Sequence, residues 1–289
     1  MNVLIGGTGF IGSALAKELV CRGEGVLSLS RGGRGDVCGV QYESCDTGDM
    51  KRSACLLEKG EDIFILTGQV GPNFSQEHER RNLENIVAIL KKLPEKRIFY
   101  ASSAYVYGNT SVPADESYQC RPIEAYSQFK FESEQMLQRM LLRHRLIIFR
   151  IANVYGSPKN RGIVGLAMKK LFESDGFSLR VNGDGNQKRD YIFLDDVARA
   201  LVSVKERALE SDTVNISFGE STSLLEVVAK ISELSGQEIP IEVTGIFPDE
   251  IRDLYVSNKK LKDVYGYTPR ITLEDGLQQT IKRYREHVV

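Results

Sequence analysis

The chain lacks any excess of charge: 38 Lys and Arg stand against 39 Asp and Glu, a formal net charge of −1. That removes the electrostatic footprint expected of a nucleic-acid partner or an anionic membrane surface. It also lacks a long apolar run. The first one is broken by a glycine loop after a few residues, so neither a signal peptide nor a membrane span is expected. Cysteine is sparse and unpatterned. Cys21, Cys38, Cys45, Cys55 and Cys120 include no C-x-x-C pair and have no histidine cluster nearby. No metal site is expected, and reduced thiols in a cytoplasmic protein are the simplest reading. Internal repeats and low-complexity stretches are missing too. What remains is 42% hydrophobic and 27% charged over 289 residues, a length that suits one nucleotide-binding domain plus a smaller appendage.

The opening reads MNVLIGGTGFIGSALAKELVCRG. Val3 to Ile5 form a short apolar strand, Gly6 to Gly12 a tight loop, and Ile11 to Cys21 an amphipathic helix. Gly7, Gly9 and Gly12 satisfy G-x-G-x-x-G, and Gly6, Gly9 and Gly12 satisfy G-x-x-G-x-x-G. Glycine suits a sharp turn whose backbone a pyrophosphate must approach, and the helix that follows points its N–H groups and dipole at the anion. A bare glycine pattern is often only a turn. Here it follows a strand and opens a helix, the context asked of a dinucleotide site. Gly6, Gly9, Phe10, Ile11 and Gly12 are therefore candidate cofactor contacts.

Strand-like and helical runs alternate through the first half. Strands are expected at Val26–Ser30, Val40–Glu43, Ile63–Thr67, Arg97–Ser102 and Leu146–Arg150, and helices at Met50–Lys59, Gln76–Leu93 and Ala125–Arg143. Such βαβ alternation implies an α/β fold, a Rossmann-like doubly wound parallel sheet with helices on both faces. Beyond about residue 155 the pattern loosens, with helices expected at Asp195–Ala208, Leu224–Ser235 and Leu273–His287. Residues 1–155 are read as the dinucleotide-binding domain. Residues 156–289 are read as a smaller C-terminal α/β substrate-binding lobe, some of whose elements return to the main sheet.

Tyr126 and Lys130 stand four residues apart within a helical pattern, so both project from one face. An adjacent ammonium would favour the phenolate and lower a phenol pKa of about 10, making Tyr126 a proton donor and acceptor for hydride chemistry on an alcohol or ketone. The same spacing is common on solvated helix faces, and its weight comes from the glycine loop upstream.

Taken together, these motifs resemble the extended short-chain dehydrogenases, the NAD-dependent epimerase/dehydratase family acting largely on nucleotide sugars. The likeness runs from Val3 to about Ile281. YASSAYVYG, Tyr100 to Gly108, is similar to the strand carrying the family's catalytic serine or threonine, which puts that role on Ser103. PIEAYSQFKFESE supplies Tyr126 and Lys130. The resemblance also implies cofactor contacts at Asp46, which would accept the adenine amino group, at Thr67 and Gly68 in ILTGQVG, and at Asn82. RIANVYG offers Asn153 to a substrate phosphate, and GDGNQKRDYIFLDDVARAL offers Arg189 to the diphosphate of a nucleotide sugar. Asp190 should point away from Arg189, while Asp195 and Asp196 look like helix N-terminal caps.

The end of the second strand bears on the cofactor. NAD binders commonly place a carboxylate there for the ribose hydroxyls. This chain has Ser30 and Arg31 followed by GGRG, with Asp36 several residues on. Ser30, Arg31 and Arg34 suit a 2′-phosphate, so NADP(H) is expected in preference to NAD(H), which stays possible. The bland alternative is a solvated arginine in a glycine loop.

Two departures from the family stand out. Dehydratases carry an acidic pair after the catalytic threonine, where this chain has Ala104 and Tyr105; dehydration is not expected, and Tyr105 is taken as a substrate contact. Phe247 precedes Pro248, Asp249 and Glu250 where many members place a clamping arginine, leaving Arg252 as the candidate second clamp. The expected activity is an NADP-dependent 4-ketoreductase on a nucleotide-linked sugar. The alternatives are a 4-epimerase using the same residues and, from another class, a non-catalytic dinucleotide sensor. The resemblance further implies a homodimer through the Tyr126 helix and the helix before it, with Leu137, Met140 and Leu141 facing either the partner or the core.

Overall fold

In a computed structural model, residues 1–68, 74–172, 178–246 and 251–288 are described. The first half runs β1 (Asn2–Ile5), α1 (Phe10–Cys21), β2 (Val26–Ser30), β3 (Gln41–Ser44), α2 (Met50–Glu58), β4 (Asp62–Ile65), α3 (Gln76–Leu90), β5 (Arg97–Ser103), α4 (Ala125–Met140) and β6 (Arg145–Ile151). There follow β7 (Asn153–Tyr155), α5 (Ile163–Phe172), β8 (Leu179–Val181), β9 (Lys188–Phe193), α6 (Leu194–Arg207) and β10 (Asp212–Ile216). The chain closes with β11 (Ser221–Ser223), α7 (Leu224–Ser235), β12 (Ile241–Val243), α8 (Lys259–Asp263) and α9 (Leu273–Val288).

Seven strands form one parallel sheet in the order β10-β6-β5-β4-β1-β2-β3. Because strand side chains alternate between faces, Leu4 and Phe64 pack on one side, with α1 and α6, while Val3 and Ile5 pack on the other, with α2, α3 and α4. Phe64 and Phe99 are register partners and stack at 4.4 Å between ring centroids. The strand order reverses between β1 and β4, so the turns after those two strands open a crevice at the C-terminal edge of the sheet, where ligands bind in this architecture. The Rossmann-like expectation holds.

A second packing unit has its own apolar cluster, built from Tyr155, Met168, Tyr191, Phe193, Val227, Ile231 and Leu277. Its three-stranded sheet has the order β11-β9-β7. The strand β10 leaves this part of the chain and pairs with β6, closing one edge of the main sheet. Leu137 is fully buried and Leu141 is 2% exposed, so both belong to the core below the sheet, while Met140 is exposed. Among the described residues no helix is long and apolar enough to cross a membrane, no group of ligating side chains could hold a metal ion, and all five cysteines are free. Residues 247–250, where many family members are expected to place a clamping arginine, and residues 69–71 of the ILTGQVG segment lie outside the described residues.

Candidate active site

The glycine loop forms the turn from β1 into α1. Gly6 has φ +87°, a conformation that glycine adopts without strain, and its carbonyl accepts the Gly9 N–H at 3.0 Å. A methyl group on Gly12 would collide with that same carbonyl. Gly9 caps α1 with no side chain, and the first turn of the helix has no acidic residue. The result is an uncovered helix N-terminus whose N–H groups at Phe10, Ile11 and Gly12 can meet an anion. These residues fit the pyrophosphate of a dinucleotide.

Across the crevice, Ser103 ends β5, while Tyr126 and Lys130 occupy the first turn and a half of α4. That helix starts on a capping box, in which the Ser127 hydroxyl accepts the Glu124 N–H at 3.1 Å. The Ser103 hydroxyl accepts the Tyr105 N–H at 3.2 Å, and it lies near enough to the Tyr126 phenol to favour its phenolate form. Lys130 Nζ donates to the Ala101 carbonyl at 2.7 Å, 4.8 Å from the centroid of the Tyr100 ring and 5.9 Å from that of Tyr126. Phe74 stands edge-on to Tyr126 at 5.8 Å.

One expectation is corrected by this geometry. The lysine was expected beneath the tyrosine, lowering its pKa. Instead the ammonium is held by a β5 carbonyl under Tyr100. Burial, with the Tyr105 phenol nearby, pushes Tyr126 well above its ordinary value, against the Ser103 hydroxyl that favours the phenolate. Burial also brings Lys130 down to about 8, with Glu79 and Glu134 holding it up. At neutral pH the phenol is protonated.

The other cofactor candidates line the same edge. The Ser30 hydroxyl accepts the Gly33 N–H at 3.1 Å, which orients it within its own turn and leaves its O–H proton to be donated. Arg31 and Arg34 are exposed. Asp46 is exposed, with Oδ1 accepting the Gly48 N–H at 2.8 Å. The Asn82 carbonyl oxygen accepts the Thr47 hydroxyl at 3.0 Å, tying α3 to the Asp46 loop. Gly68 takes φ +150° and faces Lys130, and Thr67 packs on Gly6.

On the substrate side, Arg189 does not present an open fork. Its Nε donates to the Tyr105 hydroxyl at 3.1 Å, Nη1 to the carbonyls of Lys188 and Arg252 at 2.9 and 3.0 Å, and Nη2 to the Ile251 carbonyl. The segment at 251–253 runs beside β9, bridging Asp253 to Lys188, and brings those carbonyls within reach. Every one of these acceptors is neutral, so none of these contacts is an ion pair. Asp190 points the other way as expected: its carboxylate takes the N–H groups of Phe218 and Gly219, and burial pushes it up to about 7. Asn153 is half-buried at the start of β7. Arg252 turns outward to Asp184 at 3.1 Å instead of joining Arg189. Asp196 does not cap its own helix; it accepts the Tyr267 hydroxyl and the N–H groups of Arg270 and Ile271, while Asp195 pairs with Arg283 at 2.8 Å.

Tyr191 was missed from the sequence. It stands two residues after Arg189 on β9, hence on the same face, and is the register partner of Asn153. Its hydroxyl is buried without a hydrogen-bond partner among the described residues. The strand period could have drawn attention to it.

Residues 3–217 match the family model described as "NAD dependent epimerase/dehydratase family". The chain belongs to this family. It is 26% identical over 309 residues to the UDP-glucose 4-epimerase of Mycolicibacterium smegmatis, covering 98% of each protein. It is 25% identical over 308 residues to the dTDP-4-dehydro-6-deoxyglucose reductase of Escherichia coli, covering 98% of this chain and 97% of the relative. The structure of MoeE5 in complex with UDP-glucuronic acid and NAD superposes with a TM-score of 0.90 at 24% identity, covering 99% of each chain. As a family member the protein is an extended short-chain dehydrogenase/reductase.

Proposed function

We propose that the protein is an NADP(H)-dependent 4-ketoreductase acting on a nucleotide-linked sugar. The observation that carries this reading is the tip of β2, where Ser30 and Arg31 stand in place of a carboxylate and both Arg31 and Arg34 are exposed. Two guanidinium groups there favour a 2′-phosphate, and a phosphorylated dinucleotide suits an exchangeable reductant.

The chain's residues divide the work as follows. The loop from Gly9 to Gly12 holds the pyrophosphate, Asp46 takes the adenine amino group through its remaining carboxylate oxygen, and Thr67, Gly68 and Asn82 border the dinucleotide. The nicotinamide, when bound, supplies the hydride. Ser103 holds the substrate oxygen, and Tyr126 gives that oxygen its phenolic proton as the carbon is reduced. Lys130 holds a ribose hydroxyl and stabilises the phenolate left behind. A phenol that is protonated at neutral pH is in the form a reductase needs at the outset. Asn153, Tyr105 and Arg189 meet the substrate diphosphate; Arg189 brings a charge that no carboxylate among the described residues pairs with, and Arg252 would assist only by leaving Asp184. Ala104 and Tyr105, where dehydratases are acidic, argue against elimination.

The second reading is a nucleotide-sugar 4-epimerase on the same residues, favoured by the likeness to the M. smegmatis enzyme. The purified protein separates the two. A reductase comes free of tightly bound nicotinamide and takes up NADPH from solution, whereas an epimerase keeps its dinucleotide through purification and shows it in the absorbance. Residues 156–289 would form the substrate-binding part of a cytoplasmic homodimer built on α3 and α4. Met140, 42% exposed beside the Arg80–Glu132 ion pair that bridges these helices, supports that face.

A further inference from the structure

The Glu134 carboxylate is 1% exposed and sits where three elements meet. From β5, the Ser102 hydroxyl donates to Glu134 Oε1. From β6, Arg150 donates through Nε to Oε1 at 3.2 Å and through Nη2 to Oε2 at 2.8 Å. Ser102 and Arg150 are register partners in the parallel pair of β5 and β6, so both side chains leave the same face of the sheet and close on one carboxylate. Ser102 immediately precedes Ser103. Glu134 follows Lys130 by one helical turn, on the stripe of α4 that also carries Tyr126. Arg150 Nη1 continues to the Tyr107 hydroxyl at 3.2 Å, which donates to Asn215 Oδ1 on β10 at 2.7 Å. The elements bearing Ser103, Tyr126 and Lys130 are thus joined through a single side chain.

Apolar side chains of similar volume could brace these elements without desolvating two charges. The ion pair therefore calls for a role that packing alone would not supply. We propose that Glu134 is a positioning residue for the Ser103–Tyr126–Lys130 array and, together with Glu79, supplies counter-charge to the Lys130 ammonium.

The groups around that ammonium are Glu79 from α3, Tyr126 and Glu134 from α4, and Tyr100 from β5, with Arg150 of β6 behind Glu134. Burial lowers the Lys130 pKa, and the two carboxylates oppose the loss of its proton. Take away the Glu134 charge, and the lysine loses one of the two carboxylates that hold its proton, while the positive charge of Arg150 loses its partner. The ammonium then gives up its proton at lower pH. Take away the Arg150 charge instead, and the lysine holds its proton to higher pH.

The inference rests on the reading of Lys130 as the lysine beside the cofactor, and its test uses no sugar substrate. Lysine labelled with carbon-13 at Cε is followed by NMR against pH, with the Lys130 signal assigned by its loss in Lys130→Arg. The midpoint should fall by about one unit in Glu134→Gln and rise in Arg150→Gln. Opposite movements are expected of a counter-charge and not of a brace. NADPH and NADH affinities, read by nicotinamide fluorescence, accompany the titration. A midpoint unmoved in whichever variant folds, with only the melting temperature lowered, overturns the proposal. A wild type that binds neither dinucleotide overturns the reading of the site itself.

Discussion

A methyl group added to Gly68 would stand 3.1 Å from the Nζ of Lys130. The turn after β4 and the ammonium on α4 thus face each other across a gap sized for backbone alone. Gly68 also takes a φ of +150°, which side-chain-bearing residues rarely adopt. Gly68→Ala should lower the melting temperature and weaken dinucleotide binding about tenfold, on the order of 1–2 kcal/mol of strain and displacement. Wild-type affinity measured by fluorescence titration would remove this turn from the cofactor site.

Arg31 should set cofactor choice. A charge-assisted contact to a 2′-phosphate contributes roughly 1.5–3 kcal/mol when well formed and less at an exposed site, so Arg31→Ala should cost NADPH about tenfold in affinity. NADH, which lacks the phosphate, should bind nearly as before. Equal losses for both dinucleotides, or a wild type that prefers NADH, would contradict the assignment.

Among the described residues Tyr191 carries a buried hydroxyl without a hydrogen-bond partner, and such a bond costs about 1–3 kcal/mol to leave unmade. Tyr191→Phe should therefore leave the free protein as stable as the wild type or more so. If the hydroxyl serves the substrate, the same change should raise KM several-fold while kcat and NADPH affinity stay close to wild type. A destabilised free protein with an unchanged KM would show instead that the hydroxyl has a structural partner.

His144 links stability to acid pH. Its Nδ1 accepts the Lys96 N–H at 3.1 Å and its Nε2 lies 3.0 Å from the Leu90 carbonyl, an arrangement that suits the neutral ring protonated at Nε2. Burial lowers its pKa. The unfolded chain therefore takes up a proton, with a pKa of about 6.5, that the folded chain refuses. The stability contributed by the neutral ring is full above that value and is lost as pH falls toward the lowered folded-state pKa. Melting temperatures from about pH 7.5 to 5.5 should drop more steeply for the wild type than for His144→Gln. Parallel curves would refute the linkage.

Much of the main sheet was legible because β2 and β5 are short apolar runs between amphipathic helices and turn residues. The strand β2 falls at Val26–Ser30 and α7 at Leu224–Ser235, as their patterns indicate. The ends of α3 and α4 fall short of the periodicity at Leu90 and Met140, where tight turns lead into β5 and β6. The helix α5 was not legible, and the expectation that some C-terminal elements return to the main sheet did not single out β10 at its edge, because which strand a short apolar run will pair with is a long-range property. The same holds for side chains. Sequence order brings Tyr126 and Lys130 onto one helix face, but the Ala101 carbonyl that draws the lysine aside belongs to another element. Likewise, nothing local to Arg189 announces the three backbone carbonyls it holds.

In the proposed reaction Tyr126 gives a proton to a sugar ketone as NADPH is consumed. Its direct measurement is the nicotinamide absorbance of wild type and Tyr126→Phe, each mixed with NADPH and a panel of 4-keto-sugar nucleotides built on UDP, dTDP, GDP and CDP. The account predicts consumption by the wild type with at least one of these, and a fall of about 10²–10⁴-fold in Tyr126→Phe with NADPH affinity retained. Substantial turnover by Tyr126→Phe would contradict the role given to the phenol. A wild type that consumes no NADPH, yet carries bound NAD and interconverts sugar epimers, would contradict the reductase and establish the epimerase.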